Sequence, residues 1–182
     1  MVLLPGLAEL IAWLRADGYQ VIGPTVREGA VVLEELQAAD QLPSGWGVDA
    51  APGRYRLRRR TDGAAFATCA GPQSWKQFLH PPRRPLWSAD RSADATITVA
   101  EPTTDERRLA LIGVRPCDLR ALAVQRRVFG PDSEYARILD RAFIVAVNCT
   151  EPAEVCFCAS AGGGPRAAEG GLLDAPSAEP AP

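Results

Sequence analysis

Two uninterrupted apolar runs, separated by one helical stretch, restrict this chain more than any other feature. The first, Leu109-Ala110-Leu111-Ile112-Gly113-Val114, leads through Arg115-Pro116-Cys117-Asp118 into a helical pattern that continues to Val128. The second, Ala142-Phe143-Ile144-Val145-Ala146-Val147-Asn148, runs straight into Cys149. Runs of this length without polar alternation suit strands buried on both faces, and the order strand, helix, strand makes them a parallel pair with a right-handed crossover. Parallel neighbours end at the same edge of their sheet. Cys117 and Cys149 are therefore expected to be neighbours at the carboxyl edge, where open α/β sheets carry their sites. Cys156-Phe157-Cys158 follows a few residues later and is expected in the loop above that edge.

The remaining pattern predicts a mixed α/β protein, with an α+β N-terminal half over 1–100 and this Rossmann-like βαβ half, with Cys-bearing strand ends, over 101–166. Leu7, Leu10, Ile11 and Leu14 recur at helical spacing before Asp17-Gly18, which predicts a helix over 7–16 with a glycine stop. Two β-rich runs, 19–23 and 30–33, are separated by Pro24 and Gly29 and read as paired strands. Pro, Gly and Ser over 42–53 predict a loop. Arg54-Tyr55-Arg56-Leu57-Arg58 alternates strictly, Asp62-Gly63 supplies a turn and 65–68 returns, which predicts an antiparallel hairpin with its arginines on the wet face. A short helix over 74–79 is stopped by His80-Pro81-Pro82, because a residue before proline is pushed out of helical geometry. One more strand is expected over 95–100. After Arg166 only Leu172-Leu173 interrupts Ala, Gly, Pro, Ser and Glu, so 167–182 is expected to be a disordered tail.

Composition matters where the class of partner is at stake. The 182 residues are 47% hydrophobic, enough for a core, and their formal net charge of −2 gives no footprint for nucleic acid or an anionic membrane. No stretch approaches the roughly 18 apolar residues of a membrane span. Met1-Val2-Leu3-Leu4 is apolar, but it has no preceding basic segment and no following small-residue cleavage site. A cytoplasmic protein is expected. In that compartment thiols stay reduced, and five cysteines, most of them clustered, read as metal or redox chemistry before they read as a disulfide framework.

Four of those cysteines, Cys117, Cys149, Cys156 and Cys158, are enough to complete the shell of one thiolate-bound centre. Soft thiolates select iron–sulfur clusters or zinc. Structural zinc usually takes two C-x-x-C knuckles and this spacing contains none, which favours iron–sulfur. The alternative is that Cys117 and Cys149 are small buried hydrophobes at strand ends and the C-x-C pair is incidental. Cys69 follows a strand in the other half and reads as a core residue. Asp118 is a first-turn acid favoured by the helix dipole before it is a group tuning a ligand. Gly162-Gly163-Gly164 either brings backbone N–H groups to sulfur or phosphate, or is plain loop.

Arg54, Arg56, Arg58, Arg59 and Arg60, with Arg83, Arg84 and Lys76, form either a docking patch or a solvated strand face and hinge, and the second is preferred. Trp75 and Trp87 are expected to pack, and His80, the one histidine, to be structural. There is no Walker loop, no G-x-S-x-G and no histidine near the thiols, so no catalytic residue is assigned. A nucleotide-binding domain built on the Gly162 loop lacks a glycine-rich turn directly after the first strand. A non-redox interaction module, with free thiols or structural zinc, is the main rival to electron transfer.

Several pieces taken together resemble one family. They are Gly18-Tyr19-Gln20-Val21-Ile22-Gly23-Pro24, Gly53-Arg54-Tyr55-Arg56-Leu57, Gly71-Pro72-Gln73-Ser74-Trp75-Lys76, Gly113-Val114-Arg115-Pro116-Cys117-Asp118-Leu119, and Val147-Asn148-Cys149 through Cys156-Phe157-Cys158. They are similar to the iron–sulfur β subunits of sulfhydrogenases and cytoplasmic nickel–iron hydrogenases, and to the related A subunit of anaerobic sulfite reductase. The resemblance implies an electron-transfer subunit, with a 4Fe-4S cluster on Cys117, Cys149, Cys156 and Cys158. It implies as partners a flavoprotein and the hydrogenase or reductase subunit of the same complex. Such proteins continue into a ferredoxin-like portion with two further clusters on C-x-x-C-x-x-C-x-x-x-C runs. This chain has no such run after Arg166, so the resemblance covers only the N-terminal half of the pattern, as a truncated relay.

Overall fold

The leading helix α1, Pro5–Ala16, forms because its apolar stripe needs cover; Ile11 and Leu14 are fully buried, and Gly18, at φ +83°, follows its end. The computed structural model describes residues 5–69, 71–83, 85–100 and 106–167. Residues 1–4, Arg84 and all of the expected tail except Ala167 lie outside the described residues. Strands β1, Tyr19–Arg27, and β2, Ala30–Glu35, pair antiparallel, as the two β-rich runs predict. Glu28 and Gly29 join them, both at positive φ (49° and 78°), which is the geometry a two-residue hairpin turn requires.

The arginine hairpin is where the observed pairing departs from expectation. After a 3-10 turn at Ala39–Gln41, strand β3, Trp46–Ala51, occupies the stretch expected to be loop. It pairs antiparallel with β4, Arg54–Arg59, around Pro52-Gly53. Residues 65–68 are not the partner strand. The reasons are cross-strand chemistry: Arg59 lies over the Trp46 ring at 3.7 Å, and Arg58 donates from Nε to Asp49 at 3.0 Å. Residues 66–69 turn instead toward the interior, where Ala67, Thr68 and Cys69 are buried.

Helix α2, Lys76–Leu79, stops at His80 as the prolines predict. Strand β6, Ile97–Ala100, is the strand expected over 95–100, and its antiparallel partner β5, Ser88–Arg91, is an element the composition did not announce. Every residue of this small hairpin is exposed, and so is Trp87 beside it, contrary to the expectation that Trp87 packs. Trp75 does pack.

Strand β7, Arg108–Val114, helix α3, Pro116–Phe129, helix α4, Glu134–Arg141, and strand β8, Phe143–Ala146, form the unit the two apolar runs predict. β7 and β8 are parallel neighbours. Helix α4 adds to the expected crossover. Ser133 caps it, its Oγ accepting from Ala136 N–H at 3.1 Å, and Tyr135, Ala136, Ile138 and Leu139 form its buried face.

One mixed sheet runs through the protein in the order β2-β1-β7-β8, with β1, β7 and β8 parallel and β2 antiparallel at an edge. It draws strands from both sides of residue 100. The fold is therefore a mixed α/β class with two separate hairpins. Alternate residues of β7 supply two cores: Leu109 and Leu111 join Ile22, Trp75, Leu122, Tyr135 and Leu139 on one face, while Ala110 and Ile112 join Val21, Ile11, Leu14 and Leu36 on the other. β8 is the exception to burial on both faces. It is an edge strand whose residues are half-buried or exposed.

Candidate functional site

The carboxyl ends of β1, β7 and β8 share one edge of the sheet, and the expected site residues gather in the segments leaving it. At the end of β7 the pairing with β8 shifts register between Ile112 and Val114, at a Gly113 with φ +88°. A Cβ on Gly113 would sit 2.8 Å from Phe66 Cε1, so the close approach needs glycine. Val147 N–H donates to Val114 O at 2.9 Å, carrying the pairing past the shift. The chain then enters α3 with Pro116 in its first turn, and Asp118 Oδ2 accepts from Arg115 N–H at 3.1 Å, satisfying an N-terminal backbone group. Asp118 is the first-turn acid the sequence suggests. Cys117 sits beside it, exposed as a residue.

The segment after β8 folds back into a closed loop. Cys149 N–H donates to Pro165 O at 2.8 Å, and Ala167 N–H donates to Asn148 Oδ1 at 3.0 Å, which fastens the two ends together. Inside it, Cys156 N–H donates to Ala153 O at 3.0 Å and Ala153 N–H returns to Cys156 Sγ at 3.2 Å. Gly163 N–H donates to Cys158 O at 2.7 Å and Gly162 N–H to Ala159 O at 3.0 Å, so these two glycine donors are engaged within the loop. That occupation leaves the Gly162 loop a poor phosphate cradle. Arg120 of α3 reaches across to the carbonyls of Ala161 and Gly162, the latter at 2.8 Å. The loop is thus tied to the helix that carries Cys117.

The thiols differ in their surroundings. Cys156 and Cys117 are exposed, Cys149 and Cys158 half-buried, and Cys69 buried; none is in a disulfide. Burial around the Cys117 thiol, and then the Asp118 carboxylate, push it above the ordinary range, with the Arg115 guanidinium opposing both. Cys69 is a core residue, packed with Val31 and Val48, yet it belongs to the same neighbourhood. Burial pushes its thiol up first, Arg115 pulls it down, and the nearby Cys156 and Cys149 raise it. Arg115 therefore acts on thiols from both halves of the sequence. Its side chain is largely buried, 3.9 Å from Asp118, and with Asp118, Gln73 and Trp75 it lines a cavity of about 20 Å³, space for roughly one water. A nucleotide does not fit there.

Sequence reasoning passed over Arg115, Arg120, Glu151 and the placement of Cys69 beside the loop. Only Arg115, inside Arg115-Pro116-Cys117-Asp118, carried a local signal. The arginine stretch divides in two. Arg54, Arg56 and Arg59 are exposed, as a solvated face implies, whereas Arg58 and Arg60 both bind the Glu151 carboxylate. Lys76 lies over the Phe129 ring at 5.4 Å, and His80 stacks on the same ring at 4.7 Å in a structural role.

The donors are of the kind an iron–sulfur centre uses: soft thiols in segments that leave one sheet edge, and a backbone N–H directed at one sulfur. The side chains as they stand do not complete one. Among the described residues, no three His, Cys, Asp or Glu side chains converge as a metal-holding group. Among the same residues, no helix is long and apolar enough to cross a membrane. No family model, curated protein or solved structure matches the chain.

Proposed function

We propose that this chain is an electron-transfer protein holding one iron–sulfur cluster, of the 4Fe-4S kind, on Cys117, Cys149, Cys156 and Cys158, as a cytoplasmic subunit of a hydrogenase- or sulfite-reductase-type complex. The observation that supports it most is the parallel pairing of β7 with β8, which ends the two strands that lead into Cys117 and Cys149 at one sheet edge, next to a closed loop bearing two more thiols. When bound, such a cluster supplies a one-electron carrier between a flavoprotein partner and the catalytic subunit. The chain's own groups do the rest. Four thiols bind as thiolates, Arg115 offsets part of the negative charge at Cys117, and the Ala153 N–H directed at Cys156 stabilises charge on that sulfur.

Anaerobic reconstitution with iron and sulfide is expected to give a brown protein whose visible absorption is lost on Cys149→Ala or Cys156→Ala. A colourless product with no bound iron overturns this reading. The rival is an interaction module with free thiols or structural zinc, and the lack of a convergent group among the described residues is what favours it. Metal analysis of the purified chain decides between them: stoichiometric zinc, or no metal after reconstitution, selects the module.

A further inference from the structure

Resting on that reading of the site, we propose that Glu151 is a positioning residue that holds the cysteine loop in place before any centre is bound. Glu151 lies two residues after Cys149 and five before Cys156. Each of its carboxylate oxygens binds a different arginine of the far hairpin: Oε2 accepts from Arg58 at 2.8 Å and Oε1 from Arg60. The contacts span 93 and 91 residues of sequence. Neither guanidinium is free to wander. Arg58 Nε is held by Asp49 at 3.0 Å and Arg60 Nε by Asp62 at 2.9 Å, so each arginine gives its Nε to a carboxylate of its own hairpin region and one terminal nitrogen to Glu151.

This network does a task that the other two tethers leave undone. The backbone bonds at Cys149 and Pro165 close the base of the loop, and Arg120 fixes its far side at Ala161 and Gly162. Among the described residues, Glu151 makes the side-chain hydrogen bonds that tie the stretch between Cys149 and Cys156 to the β3–β4 hairpin and the turn after it. Beneath that stretch, Ala153 packs against the cluster of Val31, Val48 and Cys69. Arg60 is the anchor, with its side chain only 13% exposed, while Arg58 and Glu151 are about a third exposed (40% and 36%). A loop held this way keeps its thiols near their working geometry and lowers the ordering cost of assembling a centre.

Cys69 gives a reporter that needs no metal, because it is 4% exposed under the loop. In reduced, metal-free protein, Glu151→Gln is expected to speed alkylation of Cys69 and Cys149 about tenfold, the size of effect one charge-assisted hydrogen bond has on a local opening equilibrium. Cys117, outside the loop, should keep its wild-type rate, which separates local opening from global unfolding. Arg60→Lys, which keeps the charge and loses the two-sided fork, should fall between the two. If Glu151→Gln does not fold, Arg58→Gln removes the more exposed arm and repeats the measurement. Wild-type alkylation of Cys69 in the variant that folds overturns the proposal. After reconstitution, Glu151→Gln should also release iron to a chelator faster at an unchanged melting temperature. Failure of wild-type protein to bind iron would count against electron transfer and leave the alkylation result standing.

Discussion

Strands β7 and β8 are both apolar runs and quite different in circumstance. β7 reads Arg-Leu-Ala-Leu-Ile-Gly-Val and is buried from Leu109 to Val114, whereas β8 reads Phe-Ile-Val-Ala and has no residue fully buried. The difference lies in their neighbours. β7 has β1 on one side and β8 on the other, with helices over both faces; β8 has only β7. An apolar run therefore reports that a strand belongs to the sheet and not where in the sheet it sits. The candidate site straddles this boundary, since Cys117 follows the buried strand and Cys149 the half-exposed one.

Truncating the same residue type in each strand should give the largest difference between them. Ile112 is fully buried in β7, and Ile144 in β8 is only partly so. Ile112→Ala is expected to cost about 2–5 kcal/mol and Ile144→Ala about 1 kcal/mol, the second lower because water already reaches part of the side chain and little cavity is left. Urea unfolding of both variants measures this, and equal losses would show that β8 is as well covered as β7.

The next test addresses the junction itself. Gly113→Ala places a Cβ 2.8 Å from Phe66 Cε1 and 3.3 Å from Pro24 Cδ at a backbone φ of +88°. The expected cost is about 1–3 kcal/mol. Phe66→Leu in the same chain relieves the ring contact but not the backbone strain, so it should recover only part of the loss. Full recovery would mean the register shift between β7 and β8 does not depend on glycine.

Much of this architecture was legible in the residues, and the failures have common causes. Helix α1, the β1–β2 hairpin, α2 and the β7-to-β8 unit follow from periodicity, capping and apolar runs, all of which are local. The β3–β4 pairing was missed because both turns in the region have suitable residues, and the choice rests on contacts such as Arg59 with Trp46 and Arg58 with Asp49. Helix α4 is short, with little more than a capping serine and four apolar positions to announce it. The site shows the same division. The edge shared by Cys117 and Cys149 follows from parallel pairing, but Cys69 beside the loop, and Glu151 between two arginines 93 and 91 residues away, depend on long-range contacts that no spacing records.

The smallest expected effect concerns pH, and it bears on the same contrast because Tyr135 packs in the core beneath Leu109 and Leu111 of β7, while Cys69 titrates in a separate cluster with Val31 and Val48. Tyr135 is buried in the core that Leu109 and Leu111 share, where its hydroxyl donates to Gln125 Oε1 at 2.8 Å, and burial pushes its phenol upward from an ordinary value near 10. Cys69 is raised in the same direction from an ordinary value near 9, with burial the largest cause. Both groups stay protonated in the folded chain at pH values where the unfolded chain has begun to lose those protons. The unfolded state then binds fewer protons, so stability falls as pH rises. The contribution is complete below the ordinary thiol and phenol values and is lost as pH climbs through them toward the raised folded ones. Urea midpoints should hold steady to about pH 8 and decline toward about pH 10.5, with Tyr135→Phe flattening the upper part and Cys69→Ala the lower. A midpoint that stays level across that range in wild-type protein would mean that the face of β7 under α4 is open to water, as β8 is, and the distinction between the two strands would fail at its most buried point.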